Sequence, residues 1–265
     1  MTTSTDLVDL DGAVALVTGA GRGIGRQIAL TLAEHGASAV AINDFYADRA
    51  EAVAEEVRAR GAKAVAVVGD VSDFDTATGL VSQASGAIGD IDVLVNNAGN
   101  AGPQQGIGDR PPFWESLPAD WQPWLSTNLY GVLNCTRAVL PAMVGRERGR
   151  IVSVISDAGR VGEPDLAVYA AAKAGVAGFT RSIAKAVGRH GVTANCVACG
   201  YIDTPATAGL ADNPDLLKRV LRAYQVKRPG RTSDVAAMVT FLASPAASWI
   251  TGQTYPVNGG YSMTQ

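Results

Sequence analysis

Short apolar runs rich in β-branched residues alternate with helical patterns along the whole chain, and this alternation limits the possible folds more than any other feature. Six such runs predict strands at residues 13–18, 38–44, 63–71, 91–99, 149–156 and 191–199, and residues 251–260 add a last short strand. Helical patterns separate the runs, and the longest covers residues 167–188. Apolar strands that alternate with helices are typical of a parallel sheet covered on both faces. We therefore predict an α/β fold with about seven strands.

The composition is that of a chain with one large core. Its 265 residues fit a single α/β domain, and no Pro/Gly/Ser-rich linker or internal repeat divides them. We predict one domain over residues 1–265, with residues 1–11 as an N-terminal extension.

The net charge of −3 argues against nucleic acid as a partner, because a phosphate binder is expected to be basic. The opening MTTSTDLVDLDG has no charged leader followed by an apolar core, and no stretch approaches the roughly 20 apolar residues of a membrane span. We expect a cytoplasmic protein that binds neither nucleic acid nor membrane.

A CxxC pair raises the question of a redox or zinc site. Cys196 and Cys199 lie in the strand-like run VTANCVAC, whereas a redox pair belongs at a helix N-terminus. Zinc would need two further ligands at matching spacing, and the two histidines, His35 and His190, stand alone. We predict ordinary thiols and no metal.

Ser156, Tyr169 and Lys173 form the pattern with the clearest chemistry. A tyrosine and a lysine four residues apart on a helix lie on one face, one turn from each other. An ammonium group there is expected to lower the pKa of the phenol, so that it exchanges protons near neutral pH. Interconversion of a ketone and an alcohol requires such a group, and the spacing therefore indicates an enzyme.

The glycine-rich stretch from Thr18 to Gly25, TGAGRGIG, lies between the first predicted strand and the first helix. Glycines at that place let the backbone turn sharply and approach a pyrophosphate, with helix N–H groups directed at the anion. We predict a phosphate-binding loop, although its spacing is TGxxxGxG and differs from GxGxxG.

Together with Asn96-Asn-Ala-Gly99 and Asn128, these motifs resemble those of the classical short-chain dehydrogenase/reductase family. The resemblance covers essentially the full length and includes Tyr169-Ala-Ala-Ala-Lys173. It implies a Rossmann-type, doubly wound sheet. It also implies hydride transfer between a nicotinamide and a carbonyl or secondary alcohol of a small molecule, usually in a homotetramer.

The resemblance assigns catalytic roles to four residues. Tyr169 is expected to be the general acid/base, and Lys173 to depress its pKa and bind the nicotinamide ribose. Ser156 is expected to hold the substrate oxygen, and Asn128 to anchor a water relay that reaches Lys173.

The resemblance also implies a set of cofactor-binding residues. They are Gly19, Arg22, Gly23, Ile24, Gly25, Asp44, Asp70, Val71, Asn97, Ala98, Gly99, Tyr169, Lys173, Gly200, Ile202 and Thr204.

Asp44, at the end of the second predicted strand, decides between NAD and NADP. A carboxylate there accepts hydrogen bonds from the ribose hydroxyls and repels a 2′-phosphate. Phe45 and Tyr46, which follow, offer no arginine to bind such a phosphate. Arg22 is the contrary signal, and we expect the repulsion to outweigh it, so that NAD is favoured over NADP.

Two segments depart from the family pattern. Cys199-Gly200 replaces the usual Pro-Gly, and the loss of proline's fixed φ is expected to loosen that turn. The stretch 100–124 is an extended loop, suited either to walling the substrate pocket or to a subunit contact.

Substrate identity depends on the variable lid at residues 206–224. Its leucines suit an apolar wall, and Lys218, Arg219 and Arg222 suit either an anionic tail or a solvated helix face. Ser156-Asp-Ala-Gly-Arg-Val-Gly162 and the C-terminal stretch are similar to 2-hydroxycyclohexanecarboxyl-CoA dehydrogenase, which favours a cyclic or branched hydroxyacyl-CoA. The alternatives are an NADPH-dependent 3-oxoacyl-[acyl-carrier-protein] reductase and a dinucleotide-sensing regulator without turnover.

Overall fold

Seven parallel strands form the sheet of this protein, whose computed structural model describes residues 7–100 and 112–263. The strands are β1 (Val14–Val17), β2 (Ala39–Asp44), β3 (Lys63–Val68), β4 (Val93–Asn96), β5 (Gly149–Ser156), β6 (Val192–Cys199) and β7 (Thr254–Val257). Their order is β3-β2-β1-β4-β5-β6-β7, and every neighbouring pair is parallel. The chain therefore reverses direction across the sheet between β1 and β4, which opens a crevice at their carboxyl ends.

Helices connect the strands. They are α1 (Gly23–Glu34), α2 (Ala47–Arg58), α3 (Phe74–Ile88), α4 (Pro118–Leu125), α5 (Gly131–Gly145), α6 (Ala158–Val161), α7 (Ala167–Val187), α8 (Ala208–Ala211), α9 (Pro214–Leu221) and α10 (Thr232–Ala243). Short 3-10 turns lie at Phe113–Glu115, Pro164–Leu166, Gly188–His190 and Pro245–Ala247, and a π-helical turn spans Ser126–Tyr130.

Buried apolar side chains form cores on both faces of the sheet. On one face Ile28 of α1 and Val239 of α10 pack with Val17 of β1. On the other, Leu80 of α3 and Met143 of α5 pack against the sheet, and both cores exclude water. The alternation of side chains along each strand sends neighbours to opposite faces. The predicted α/β class, a doubly wound Rossmann-type parallel sheet, is confirmed.

Several strands are shorter in the structure than the sequence predicted. β3 ends at Val68 where 63–71 was expected, and β4 covers Val93–Asn96 within the expected 91–99. In both cases the apolar pattern extends beyond the paired residues, because Val71 after β3 and Ile91 before β4 are buried without belonging to a strand. Apolar character indicates burial rather than strand pairing, and residues 69–71 and 97–99, which follow β3 and β4, line the crevice.

Two predicted segments lie partly outside the described residues. In the N-terminal extension, residues 1–6 are outside, while Leu10 is buried and its N–H donates to His35 O at 2.8 Å. Within 100–124, residues 101–111 are outside, and α4 together with the 3-10 turn Phe113–Glu115 covers most of the remainder. Asp120 accepts a hydrogen bond from the Leu117 N–H at 2.8 Å and so closes the first turn of α4. Among the residues that the structure describes, none of the helices combines the length and apolar character needed to span a bilayer.

Candidate active site

The glycine loop after β1 packs so closely on its surroundings that side chains would not fit. A Cβ on Gly19 would lie 2.7 Å from Ala98 Cα, and one on Gly25 would lie 2.4 Å from Asn97 Nδ2. Asn97 in turn donates through Nδ2 to the carbonyl oxygens of Thr18 and Gly19, both at 3.0 Å. The end of β4 thus holds the loop in shape, and glycine is required by contact as well as by backbone freedom.

The first turn of α1 directs its N–H groups into the crevice. Arg22, at the N-cap, makes no side-chain capping hydrogen bond. The first N–H groups of a helix have no partner inside it, and the helix dipole favours an anion at that end. Gly23 has φ +57°, a left-handed conformation that glycine adopts freely. This combination can bind a phosphate group.

A cleft of about 510 Å³ runs along the carboxyl ends of β1, β2, β3 and β4. Twelve of the predicted cofactor-binding residues line it: Gly19, Arg22, Gly23, Ile24, Gly25, Asp44, Asp70, Val71, Asn97, Ala98, Gly99 and Thr204. The other four, Tyr169, Lys173, Gly200 and Ile202, are not among its described lining residues. Gly200 packs on Asn258, and Lys173 and Ile202 are buried. The volume, the glycine cradle and the uncapped helix fit a dinucleotide.

Asp44 holds the loop as well as facing the cleft. Its Oδ2 accepts from the Gly21 N–H and its Oδ1 from the Tyr46 N–H, both at 3.0 Å. The side chain is buried, although the cleft reaches it. A substitution that removes both oxygens is therefore expected to loosen the glycine loop, in addition to removing a charge.

Arg49 is a cleft residue that the sequence reasoning missed. Its guanidinium lies over the Tyr46 ring, 4.1 Å from the centroid, and it lines the cleft beside Asp44. The sequence-based argument weighed Phe45, Tyr46 and Arg22, and Arg49 adds a further cationic group at this end of the cleft. The signal was available, because Tyr46 and Arg49 are three residues apart at the start of α2 and so share a helix face.

Asn43 is a second missed residue, and it joins three strand ends. Its Nδ2 donates to Val67 O at 3.0 Å and to Gly69 O at 3.2 Å, and its Oδ1 accepts from the Gly19 N–H at 3.4 Å. An asparagine inside an apolar strand could have indicated this, because a buried amide needs several partners.

Ser156, Tyr169 and Lys173 converge beside the cleft. Ser156 ends β5, and its hydroxyl lies close enough to the Tyr169 phenol to act on the pKa of that phenol. Tyr169 and Lys173 lie one turn apart on α7, with Lys173 Nζ 5.7 Å from the centre of the tyrosine ring. The Lys173 amine donates to Val154 O at 3.1 Å and is only 4% exposed.

The pKa values differ from the sequence-based expectation. Burial raises the pKa of Tyr169 to about 12, and the nearby Ser156 hydroxyl offsets only part of that rise. Burial also lowers the pKa of Lys173 to about 8. The expected depression of the tyrosine pKa by lysine is therefore not found. Loss of hydration outweighs an ammonium group that points at Val154 O.

Asn128 is fully buried in the π-helical turn Ser126–Tyr130. Its Nδ2 donates to Trp124 O at 2.9 Å and to Asn100 O at 3.1 Å. Its Oδ1 has no hydrogen-bond partner among the described residues. A Cβ on Gly99 would lie 2.9 Å from this oxygen and 3.5 Å from Lys173 Nζ, so the two polar atoms border one space. A water molecule there would satisfy both groups.

An aromatic wall stands next to Tyr169. The ring of Trp124, at the end of α4, meets the Tyr169 ring edge-to-face, with centroids 5.4 Å apart. Phe113 and Trp121 stack at 5.6 Å earlier in the same segment. The described part of the stretch 100–124 thus reaches Tyr169.

The cysteines lie inside the sheet. Cys196 and Cys199 are free and buried, and three positions along a strand send them to opposite faces. Burial raises the pKa of Cys199 to about 12, so this thiol stays protonated at neutral pH. Within residues 7–100 and 112–263, no group of three or more His, Cys, Asp or Glu side chains is arranged to hold a metal ion.

Comparisons with known proteins agree with this geometry. The family described as enoyl-(acyl carrier protein) reductase matches residues 19–262. The chain is 42% identical over 252 residues to a 3-oxoacyl-[acyl-carrier-protein] reductase, FabG, of Staphylococcus epidermidis, covering 94% of this chain and 98% of that one. It is 39% identical to the (2S)-[(R)-hydroxy(phenyl)methyl]succinyl-CoA dehydrogenase subunit BbsD of Thauera aromatica, covering 94% and 96%. Among solved structures, it resembles a gluconate 5-dehydrogenase from Burkholderia cenocepacia in complex with NADP and tartrate. That match has 34% identity, a TM-score of 0.88 and 97% coverage of both chains.

Replacing Gly25 with alanine tests the glycine cradle. The new Cβ would overlap Asn97 Nδ2 and Gly19 O, so the loop must shift. We expect NADH affinity to fall at least about tenfold, or about 1.4 kcal/mol, in a fluorescence titration. Gly79→Ala is the matched control, because nothing lies within 4 Å of that position in α3. The control is expected to keep its NADH affinity and to raise stability by about 0.4–1 kcal/mol. Equal affinity of the two variants would contradict the cradle.

Proposed function

We propose that this chain, which belongs to the short-chain dehydrogenase/reductase family, is an NAD-dependent enzyme. The members of that family act on CH–OH groups with NAD(P). The proposed reaction interconverts a secondary alcohol and a ketone, and the proposed substrate is a cyclic or branched hydroxyacyl-CoA. The observation that carries the proposal is the convergence of Ser156, Tyr169 and Lys173 beside a cleft that fits a dinucleotide.

A bound nicotinamide supplies or accepts the hydride, and the chain's own residues move the proton. In reduction, the Tyr169 phenol donates its proton to the ketone oxygen, and its high pKa keeps that proton in place at neutral pH. The Ser156 hydroxyl, which is near the phenol, holds the same oxygen.

Lys173 and Asn128 return the proton to Tyr169. With its pKa lowered to about 8, the Lys173 amine is mostly protonated at pH 7 and gives up a proton more readily than an exposed lysine does. The space that it shares with Asn128 Oδ1 suits a water molecule that links the amine to solvent.

Two features support a hydroxyacyl-CoA as the substrate. BbsD of Thauera aromatica, by its name, acts on a CoA thioester that carries a hydroxy(phenyl)methyl group. In the lid, Leu216, Leu217 and Val220 of α9 are half-buried, while Lys218 and Arg219 are exposed. This arrangement offers an apolar side to the acyl group and a basic side to the CoA phosphates.

A second candidate is an NADPH-dependent 3-oxoacyl-[acyl-carrier-protein] reductase. The 42% identity to FabG of Staphylococcus epidermidis favours it, and Asp44 in the cleft argues against it. A regulator that binds the dinucleotide without turnover would not need Tyr169 and Lys173, and this chain has both. The homotetramer, the cytoplasmic location, the absence of a nucleic-acid partner and the single domain over 1–265 stay predictions.

A substrate panel tests the reaction and separates the candidates. We expect wild-type protein to oxidise NADH with acetoacetyl-CoA or 2-oxocyclohexanecarboxyl-CoA, followed by absorbance. Tyr169→Phe keeps a ring against Trp124 and removes the hydroxyl, so we expect turnover to fall about 10²–10⁴-fold with NADH binding kept. Turnover confined to NADPH and an acyl-carrier-protein thioester would favour the reductase. NADH binding without turnover of any substrate would favour the regulator.

Asp44 and Arg49 are expected to set the NAD/NADP preference in opposite directions. Asp44→Asn removes the charge and keeps an acceptor for the Gly21 N–H, which Asp44→Ala would not. We expect it to raise the NADPH/NADH ratio of kcat/KM about tenfold, or about 1.4 kcal/mol. Adding Arg49→Met to Asp44→Asn is expected to remove that gain, whereas Arg49→Met alone leaves NADH turnover nearly unchanged. An unaltered ratio in Asp44→Asn would refute the assignment of NAD.

A further inference from the structure

A buried carboxylate directly follows the candidate catalytic serine. Asp157 is the N-cap of α6, and its side chain is 3% exposed. Burying a charged group costs free energy unless partners replace the lost water. The hydrogen-bond partners of this carboxylate therefore indicate its structural role.

Three donors surround the Asp157 carboxylate. Arg160 donates to Oδ1 at 2.5 Å, Asn258 donates to Oδ2 through Nδ2 at 2.5 Å, and the Ser262 hydroxyl donates to Oδ2 at 3.0 Å. Arg160 is itself 12% exposed and also donates to Ser262 Oγ at 3.1 Å. Asn258 and Ser262 are about a hundred positions away, so this one side chain joins distant parts of the chain.

Residues 156–158, here called the Ser156 turn, are held by two further hydrogen bonds, one to β6 and one to the serine itself. The Asp157 N–H donates to Cys199 O at 2.9 Å, which extends the pairing of β5 and β6 by one residue. The Ala158 N–H donates to Ser156 Oγ at 3.2 Å. The direction of the Ser156 hydroxyl therefore depends on the conformation of residues 157 and 158.

Residues 258–262, here called the tail, pack against two other segments of the site. Gly200 lets the tail approach β6, because a Cβ there would lie 3.0 Å from Asn258 Cα. Gly259 O accepts from the N–H groups of Gln225 and Val226, both at 2.9 Å, at the end of the lid.

Aromatic contacts add a second link between the tail and its neighbours. Tyr261 hydrogen-bonds Glu163 just after α6 and stacks on Tyr224 of the lid with ring centroids 5.1 Å apart. The tail thus contacts the Ser156 turn, the end of β6 and the end of the lid, and it hydrogen-bonds two carboxylates, Asp157 and Glu163.

We propose that Asp157 is a positioning residue that couples the tail to the Ser156 turn and so holds the serine hydroxyl in its catalytic place. The proposal rests on the proposed function in assigning Ser156 to the reaction. Two carboxylate oxygens accept three hydrogen bonds here, which the single oxygen of an amide at this position cannot do. Loss of the charge therefore loosens the turn and the tail together, and a buried network of this kind is sensitive to each member.

A reciprocal exchange tests the coupling. Asp157→Asn removes the carboxylate, and Asn258→Asp sets two carboxylates against each other at the 2.5 Å contact. Asp157→Asn combined with Asn258→Asp restores one carboxylate and one amide in reversed order. With acetoacetyl-CoA and NADH, we expect each single variant to lower kcat about tenfold or more, since small displacements of a reacting group are costly. The double variant is expected to recover only part of that loss, because Ser262 O accepts from Asn258 Nδ2 at 3.0 Å and would then face a carboxylate. NADH affinity is expected to stay within about twofold throughout.

Hydrogen–deuterium exchange makes the test independent of turnover. In Asp157→Asn, peptides covering residues 152–163 and 256–263 are expected to exchange faster together, and the double variant is expected to reverse both. Asp92→Asn is the matched control. Asp92 is a half-buried carboxylate that binds the Val14 N–H and two arginines at the opposite edge of the sheet. It is expected to lower the melting temperature without changing kcat or the exchange of the tail.

The outcomes separate this proposal from the proposed function. If acetoacetyl-CoA is not turned over by wild-type protein, the exchange experiment alone decides. Unchanged exchange of the tail in Asp157→Asn, kcat within about twofold of wild type, or no recovery in the double variant would each overturn the positioning role.

Discussion

Parallel pairing places the carboxyl ends of all seven strands along one edge of the sheet, and the whole candidate site depends on this constraint. The glycine loop follows β1, Asp44 ends β2, Ser156 ends β5, Cys199 ends β6 and Asn258 follows β7. Residues far apart in the sequence are therefore brought together at this edge of the sheet. Because the strand order reverses between β1 and β4, the loops after these strands diverge and leave room for a ligand.

Burial then gives these groups their chemistry. Lys173 loses hydration, so its pKa falls to about 8, while the same effect raises the pKa of Tyr169 to about 12. Asn128 is held by two carbonyl oxygens and presents its own oxygen to the space beside Lys173. Asp157, also buried, lies within a ring of three donors. The site combines a tyrosine that retains its proton with a lysine that can release one.

Much of this could be predicted from the sequence, because the informative patterns are local. Apolar periodicity predicts the strands and helices, and the short spacing of Tyr169 and Lys173 predicts that they share a helix face. The prediction that failed concerns a property that depends on the surroundings of a side chain. The spacing of residues carries no information on desolvation, so the expected direction of the Tyr169 pKa shift was wrong.

Contacts between residues that are distant in the sequence could not be predicted from it either. Asp157 and Asn258 are 101 positions apart, and nothing in the local sequence of either indicates the other. Arg49 was a different kind of omission, since its spacing from Tyr46 was visible and only its direction toward the cleft was not.

The pH dependence of NADH-driven ketone reduction tests the central claim that a buried lysine amine supplies the proton relay. The kcat/KM of the free enzyme is expected to fall as pH rises through about 8, because the protonated form of Lys173 is then lost. Lys173→Arg, whose guanidinium stays charged in this range, is expected to lose that alkaline decline even if its overall rate is lower. A wild-type profile that stays level up to about pH 10, the range of an ordinary lysine, or the same decline in Lys173→Arg would contradict the account.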